Sequence, residues 1–255
     1  LLGSIFTWSA LHVVTPVFTK FFFTYSQLKI SYYNAFKIHT SKLPAKYIPG
    51  GIWHSIARVE GYHQQGIEYK QIALYLTAEQ ILVLSMSLTL GGLIVRQING
   101  ISPLWATLAT LAAIVGCTII LLLPIFIRRY LSSGHQRLSI SSYLLAILSL
   151  VFFWVLAALS FVQFLYAAPS IASSFPVVEI GGVYIFSWGV GFLAFFSPQG
   201  IGISEYVASQ LLSTDLTANT FIALLVGFRL VILIADFTTW IFSSIYTQYY
   251  KHLKS

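Results

Sequence analysis

Lys46-Tyr47-Ile48-Pro49-Gly50-Gly51-Ile52-Trp53-His54, running on to Arg58 and Glu60, is one version of a pattern. Phe196-Ser197-Pro198-Gln199-Gly200-Ile201-Gly202, running on to Glu205, is the other. Each is a Pro/Gly break in apolar surroundings, and each precedes a short stretch of helical periodicity with a charge in its first or second turn. Proline lacks a backbone donor and glycine tolerates positive φ, so Pro49, Gly50, Gly51, Pro198, Gly200 and Gly202 are expected to interrupt helices. Inside a bilayer such a break survives only where protein or water covers it. A pair of breaks in corresponding positions of two halves is the sequence mark of a transport site.

The remainder of the chain supplies a membrane setting. Of its 255 residues, 57% are hydrophobic and only 8% charged, and mean hydropathy is +0.82. Soluble domains carry about 25% charge. No polar stretch is long enough for a separate soluble domain, so residues 1–255 read as a single transmembrane domain with halves at 1–127 and 128–255. The chain opens on Leu1 without methionine, so an upstream piece is expected; the first segment lacks a signal-peptide pattern. The net charge of +7 is assigned to loops on the cytoplasmic face rather than to nucleic-acid binding. Cys117, alone in an apolar run, cannot form an intramolecular disulfide and is expected to be a small core residue.

Spans of about 20 apolar residues are expected over Leu1–Tyr25, with Pro16 as a kink, and over Ile72–Val95, Leu104–Ile127, Tyr143–Tyr166 and Thr217–Tyr246; Val178–Phe196 is apolar after Glu179 and long enough to cross by itself. Ser26–Lys42 is aromatic and basic, fit to lie at the interface or begin to dip inward. Ile52–Gln65 reads as a short helix. Val178–Phe196 carries Gly181, Gly182, Gly189 and Gly191, which permit close helix packing. The region around the first break (Lys29, Lys37, Lys42, Lys46, Lys70) and the loop from Arg128 to Arg137 are lysine- or arginine-rich. The loop at Arg96 and the uncharged loop Ala167–Phe175 are not. Positive-inside logic returns the Lys251/Lys254 tail to the cytoplasm only if Val178–Ser213 is a re-entrant hairpin. The expected fold is therefore all-α and polytopic, with about six spanning or near-spanning segments and two opposed re-entrant hairpins.

Charges well within the apolar stretches are Arg58, Glu60, Glu79, Glu205, Arg229 and Asp236. Each costs roughly 2.5–3.5 kcal/mol at a bilayer centre, so they should face inward and pair. Glu79 is the natural partner of Arg58, and Glu205 of Arg229. Arg229 and Asp236 share a helical stripe two turns apart, too far to bond directly. These pairs serve either as helix clamps or as substrate contacts. His54 and Arg58 share a face just past Gly50-Gly51, where a helix start attracts anions. They are candidates for holding a phosphate; the alternative is an interfacial anchor formed by Trp53 and His54. His12, His39, His63, His135 and His252 show no ligand spacing. No metal or cofactor is expected, and no Walker-type phosphate loop occurs.

The two breaks, Glu205 after the second, and Phe228-Arg229-Leu230 in the last span resemble the lysylphosphatidylglycerol synthase transmembrane family. This is the flippase-like membrane domain of multiple-peptide-resistance factors and their stand-alone relatives. The resemblance covers about Lys46–Glu60 and Phe196–Asp236. Where that family has Pro-Gly-Gly-x-Gly, this chain has Gln199 in place of the first glycine. The Pro-Gly-Gly-Ile-Trp-His form of the first motif is similar to stand-alone members associated with surface-glycan assembly. The resemblance implies lipid translocation in the cytoplasmic membrane, without the aminoacyl transfer that belongs to a separate soluble domain.

The expected function is thus movement of an anionic phospholipid or polyprenyl-phosphate-linked glycan between leaflets, with His54, Arg58, Glu79, Glu205, Arg229 and Asp236 as substrate contacts. Two other classes stay open. One is an intramembrane transferase on a lipid phosphate, with Glu205 or Asp236 as base. The other is an ion-coupled small-solute transporter. Expected partners are the lipid substrate and membrane lipids, not nucleic acid; a homo-oligomer is left open.

Overall fold

The computed structural model describes residues 1–26, 28–48, 53–131, 139–167, 176–194, 200–212 and 218–252. Among them the chain is helical throughout, without strands. In order come α1 (Leu2–Tyr25), α2 (Tyr32–Ser41), a 3-10 turn (Leu43–Tyr47), α3 (Trp53–His63), α4 (Tyr69–Val95) and α5 (Pro103–Leu131). There follow α6 (Ile140–Tyr166), α7 (Val177–Leu193), α8 (Ile203–Leu211) and α9 (Ala218–His252). Five of these helices, α1, α4, α5, α6 and α9, are long and apolar enough to cross a membrane. The protein is a polytopic α-helical membrane protein.

The sixth, near-spanning segment is α7, and it forms one arm of the expected second hairpin. α7 is 17 residues, roughly 25 Å at 1.5 Å per residue, short of a hydrocarbon core of about 30 Å. The apolar run continues to Phe196, but the helix stops at Leu193 because the chain turns back. A Cβ on Gly200 would lie 2.7 Å from the backbone of Gly191, and Ser204 also abuts Gly191. α8 then packs against α7. Gly200 and Gly202 make the reversal at φ +68° and +86°, where side-chain-bearing residues are strained.

A second hairpin precedes it. Gly61 of α3 abuts Ile38 of α2, Asn34 Nδ2 donates to Gln65 Oε1, and the His39 and His54 rings meet edge to face. α2 and α3 are therefore antiparallel, with their open ends at Asn34 and Gln65. Ser26–Lys42 accordingly dips inward, with Ala35, Ile38, His39 and Thr40 buried. Pro49, Gly50, Gly51 and Pro198 lie outside the described residues; the helices they were expected to separate do end on either side of them.

The hairpins open toward opposite ends of the molecule. α1 and α6 are antiparallel: Ser4 Oγ donates to the Ser160 carbonyl at 2.7 Å, while Tyr25 meets Tyr143 at the other end. The first hairpin joins the C-terminal end of α1 to α4. The second joins the C-terminal end of α6, beside the start of α1, to α9. Each helix that follows a hairpin packs on the other hairpin: α4 on α7, and α9 on α2 and the 3-10 turn. Small residues set the close approaches, with Gly91 against the Phe186 backbone and Gly92 against the Ala109 carbonyl. α5 presents Leu108, Leu111, Val115, Leu121, Ile125 and Phe126 outward. Cys117 lies on this exposed helix rather than in the core.

Candidate functional site

Both expected ion pairs form. Arg58 Nη1 donates to Glu79 Oε1 at 3.0 Å, and Nη2 donates to Oε2. Arg58 is 1% exposed and Glu79 4%. Tyr75 Oη donates to Glu79 Oε1 at 2.8 Å and lies 2.8 Å from Thr19 Oγ1, so the pair sits in a row of polar groups running from α3 to α1. In the other half Arg229 Nε donates to Glu205 Oε1 at 2.6 Å and Nη2 donates to Ser204 Oγ at 3.0 Å. The Gly202 N–H donates to Glu205 Oε2 at 2.8 Å, which closes the first turn of α8. Burial raises the Glu205 carboxyl, but the Arg229 and Ser204 contacts outweigh it and hold it below the usual carboxylate range. In each half, then, the short helix after the break is tied by a charge pair to the helix that follows. Glu60 stays on the surface with Gln64.

Among the described residues, Asp236 bonds neither Arg229 nor any other side chain of the second half. Fully buried, it crosses to the first half and accepts four hydrogen bonds. These come from Trp8 Nε1 at 3.0 Å, His12 Nε2 at 2.8 Å, Lys46 Nζ at 2.8 Å and Tyr47 Oη at 2.8 Å. Every lone-pair direction is used, which removes Asp236 as a general base. Glu205, committed to Arg229, Ser204 and Gly202, is likewise unsuited to that role.

Behind Asp236 runs a row of histidines that spacing along the chain did not reveal. His12 Nδ1 lies 3.0 Å from His39 Nε2, and His54 Nε2 donates to the His39 carbonyl at 3.4 Å. The three come from α1, α2 and α3, so no periodicity could connect them. Burial pushes the His39 imidazole well below its ordinary value, helped by the neighbouring His54, His12 and Arg58. Burial does the same to His54, with Arg58 and Lys46 adding to it. Among the described residues no group of three or more His, Cys, Asp or Glu side chains is placed to hold a metal ion.

These groups border a cavity of about 180 Å³. Its polar wall is His12, His39, Lys46, His54, Arg58 and Glu79; its apolar wall includes Trp8, Phe18, Phe153, Trp154 and Trp188. The lining positions are mid-helix in α1, α4 and α6, and come from the first hairpin and the inner end of α7, so the cavity lies half-way between the two faces. Of the expected substrate contacts, His54, Arg58 and Glu79 line it, and Asp236 supports it through His12 and Lys46. Glu205 and Arg229 are not among its lining residues.

Comparison with family models, curated proteins and solved structures found no match to this chain. Its chemistry is therefore read from the site alone. The cavity can hold a small polar group against one guanidinium, one ammonium and imidazoles, with aromatic surface beside it for an attached apolar chain.

Proposed function

We propose that the protein moves an anionic lipid, a phospholipid or a polyprenyl-phosphate-linked glycan, between membrane leaflets. A charged head group cannot cross about 30 Å of hydrocarbon without polar partners on the way. The observation that carries this reading is the mid-depth cavity between two hairpins that open toward opposite ends, with Lys46 and Arg58 in its wall. Broken helices at mid-depth are where transporters hold substrates. The resemblance to the lysylphosphatidylglycerol synthase transmembrane family implies the same activity. Lys20, Lys29, Lys70, Arg128 and Arg129 gather at the end where the first hairpin opens, and Arg96 lies at the other. By the positive-inside rule the first hairpin and the C-terminal end of α9 then face the cytoplasm of the inner membrane.

The test is a leaflet-accessibility assay. Purified protein is placed in liposomes that carry a fluorescent anionic phospholipid or polyprenyl phosphate, and a membrane-impermeant quencher is added outside. Protein should make the inner-leaflet half of the label accessible, and Arg58→Gln should slow this. Accessibility equal to that of protein-free liposomes for both lipid classes refutes the proposal.

A second reading, transfer chemistry on a lipid phosphate, gains support from the Asp236–His12–His39 row, which has the order of an oriented base. Mass spectrometry of the lipids after the same incubation separates the two: a transferase leaves a modified lipid.

A further inference from the structure

Two buried polar atoms on cavity-lining residues have no hydrogen-bond partner among the described residues: His39 Nδ1 and Arg58 Nε. The hydrogen-bond order explains the first. Asp236 Oδ1 can only accept, so His12 Nε2, 2.8 Å away, carries the proton. In the tautomer with the proton on Nε2, His12 Nδ1 is an acceptor, and His39 Nε2, 3.0 Å away, is the donor. His39 Nδ1 is then left as a bare lone pair. His39 is 6% exposed.

The formal charges of the wall cancel. Arg58 faces Glu79 and Lys46 faces Asp236, while His12, His39 and His54 are neutral in this hydrogen-bond order. The groups around His39 are His12 from α1, Lys46 and Tyr47 from the 3-10 turn, His54 and Arg58 from α3, and Asp236 from α9. Arg58 and Lys46 oppose a proton on His39; Asp236, two hydrogen bonds away, favours one. An anion in the cavity adds to the favouring side.

We propose that binding of the anionic head group is accompanied by uptake of one proton on His39 Nδ1, so that lipid anion and proton occupy the cavity together. This rests on the lipid-translocation reading and names the driving force, a proton gradient. The step is a simple protonation. A proton from water forms a bond to the Nδ1 lone pair, and the imidazolium keeps its Nε2–H bond to His12. His12 remains oriented by Asp236.

The experiment is calorimetric titration of the whole detergent-purified chain with dihexanoylphosphatidylglycerol. Its phosphodiester holds one charge between about pH 5 and pH 8, so any proton taken up belongs to the protein. Titrations in two buffers of different ionisation enthalpy count that proton. The expected result is close to one proton taken up per lipid bound, with affinity rising up to about tenfold for each pH unit lowered. His39→Gln should abolish the uptake and His63→Gln, at the exposed end of α3 and outside the cavity wall, should leave it. Lipid binding in wild type without proton uptake overturns the inference while leaving the lipid reading intact. So does uptake that survives His39→Gln or vanishes in His63→Gln. Dimethyl phosphate is the second titrant; binding as tight as that of the lipid makes a free phosphate anion the cargo and overturns the lipid reading. Absence of saturable binding of either titrant overturns both. The wild-type buffer comparison needs no variant, so it decides even where His39→Gln does not fold.

Discussion

The Arg58–Glu79 pair predicts a specific pattern of non-additivity. Both side chains are nearly inaccessible, at 1% and 4% exposure, so removing either leaves the other as an uncompensated buried charge. Arg58→Met and Glu79→Leu should each cost about 3–5 kcal/mol. The double variant removes both charges and fills similar volume with apolar atoms, which elsewhere is often neutral or stabilising. One loss remains: Tyr75 Oη gives up its bond to Glu79 Oε1. Because either Tyr75 or Thr19 can donate in the bond between them, the Tyr75 hydroxyl can turn toward Thr19, and the residual cost should be about 1 kcal/mol. The sum of the singles, roughly 6–10 kcal/mol, should therefore exceed the double by 5 kcal/mol or more. Unfolding free energies in mixed detergent micelles, followed by circular dichroism for all four proteins, supply the cycle. Additivity to within about 0.5 kcal/mol would refute the buried pair and the docking of α3 on α4 that it secures.

Three further outcomes are expected. Gly200→Ala should destabilise by about 3 kcal/mol and Gly202→Ala by about 1 kcal/mol, because both carry positive φ but only Gly200 would drive a Cβ into the Gly191 backbone; equal losses in thermal unfolding would contradict the folded-back second hairpin. In a Cys117→Ser background, Gln65→Cys and Val178→Cys, both exposed, should react with impermeant maleimide from opposite sides of right-side-out and inverted vesicles; labelling from one side would sink the opposed hairpins. Finally, burial holds His39 and His54 below their ordinary values, so below about pH 6.5 the unfolded chain binds protons that the folded chain does not. Stability without ligand should fall as pH drops through that value, and the fall should be smaller in His54→Gln; a midpoint flat from about pH 7.5 to 5.5 would contradict it.

Hydropathy and the two Pro/Gly breaks made the membrane class, the hairpins and the five spans plain, because length, apolarity and helix interruption are local properties. Val178–Phe196 shows what apolar length alone leaves open: it permits a crossing, and only the charge count pointed to a hairpin, in which the turn at Gly200–Gly202 brings the chain back against Gly191 and ends the helix early. Charge scarcity led correctly to Arg58–Glu79 and Glu205–Arg229, since each pair joins neighbouring segments with few other candidates. It could not lead to Asp236. Its partners Trp8, His12, Lys46 and Tyr47 lie in the other half, and two of them carry no formal charge to draw attention. The same holds for His12, His39 and His54, which are neighbours only because α1, α2 and α3 converge.

The crossing of the halves has a consequence for how the protein is made. Lys46 and Asp236 are 190 residues apart in the chain, and at about 5–20 residues per second their synthesis is separated by roughly 10–40 s. Throughout that interval the first hairpin has its aromatic and basic side chains in the bilayer interface but lacks the carboxylate that anchors Lys46, Tyr47 and His12. The hairpin that is translated first can dock on α4 through Arg58 and Glu79, but its last anchor must await the arrival of α9. A nascent chain halted before Asp236 would hold its hydrophobic spans in the membrane and leave Lys46, Tyr47 and His12 without their shared acceptor, so the last helix acts as the latch of assembly.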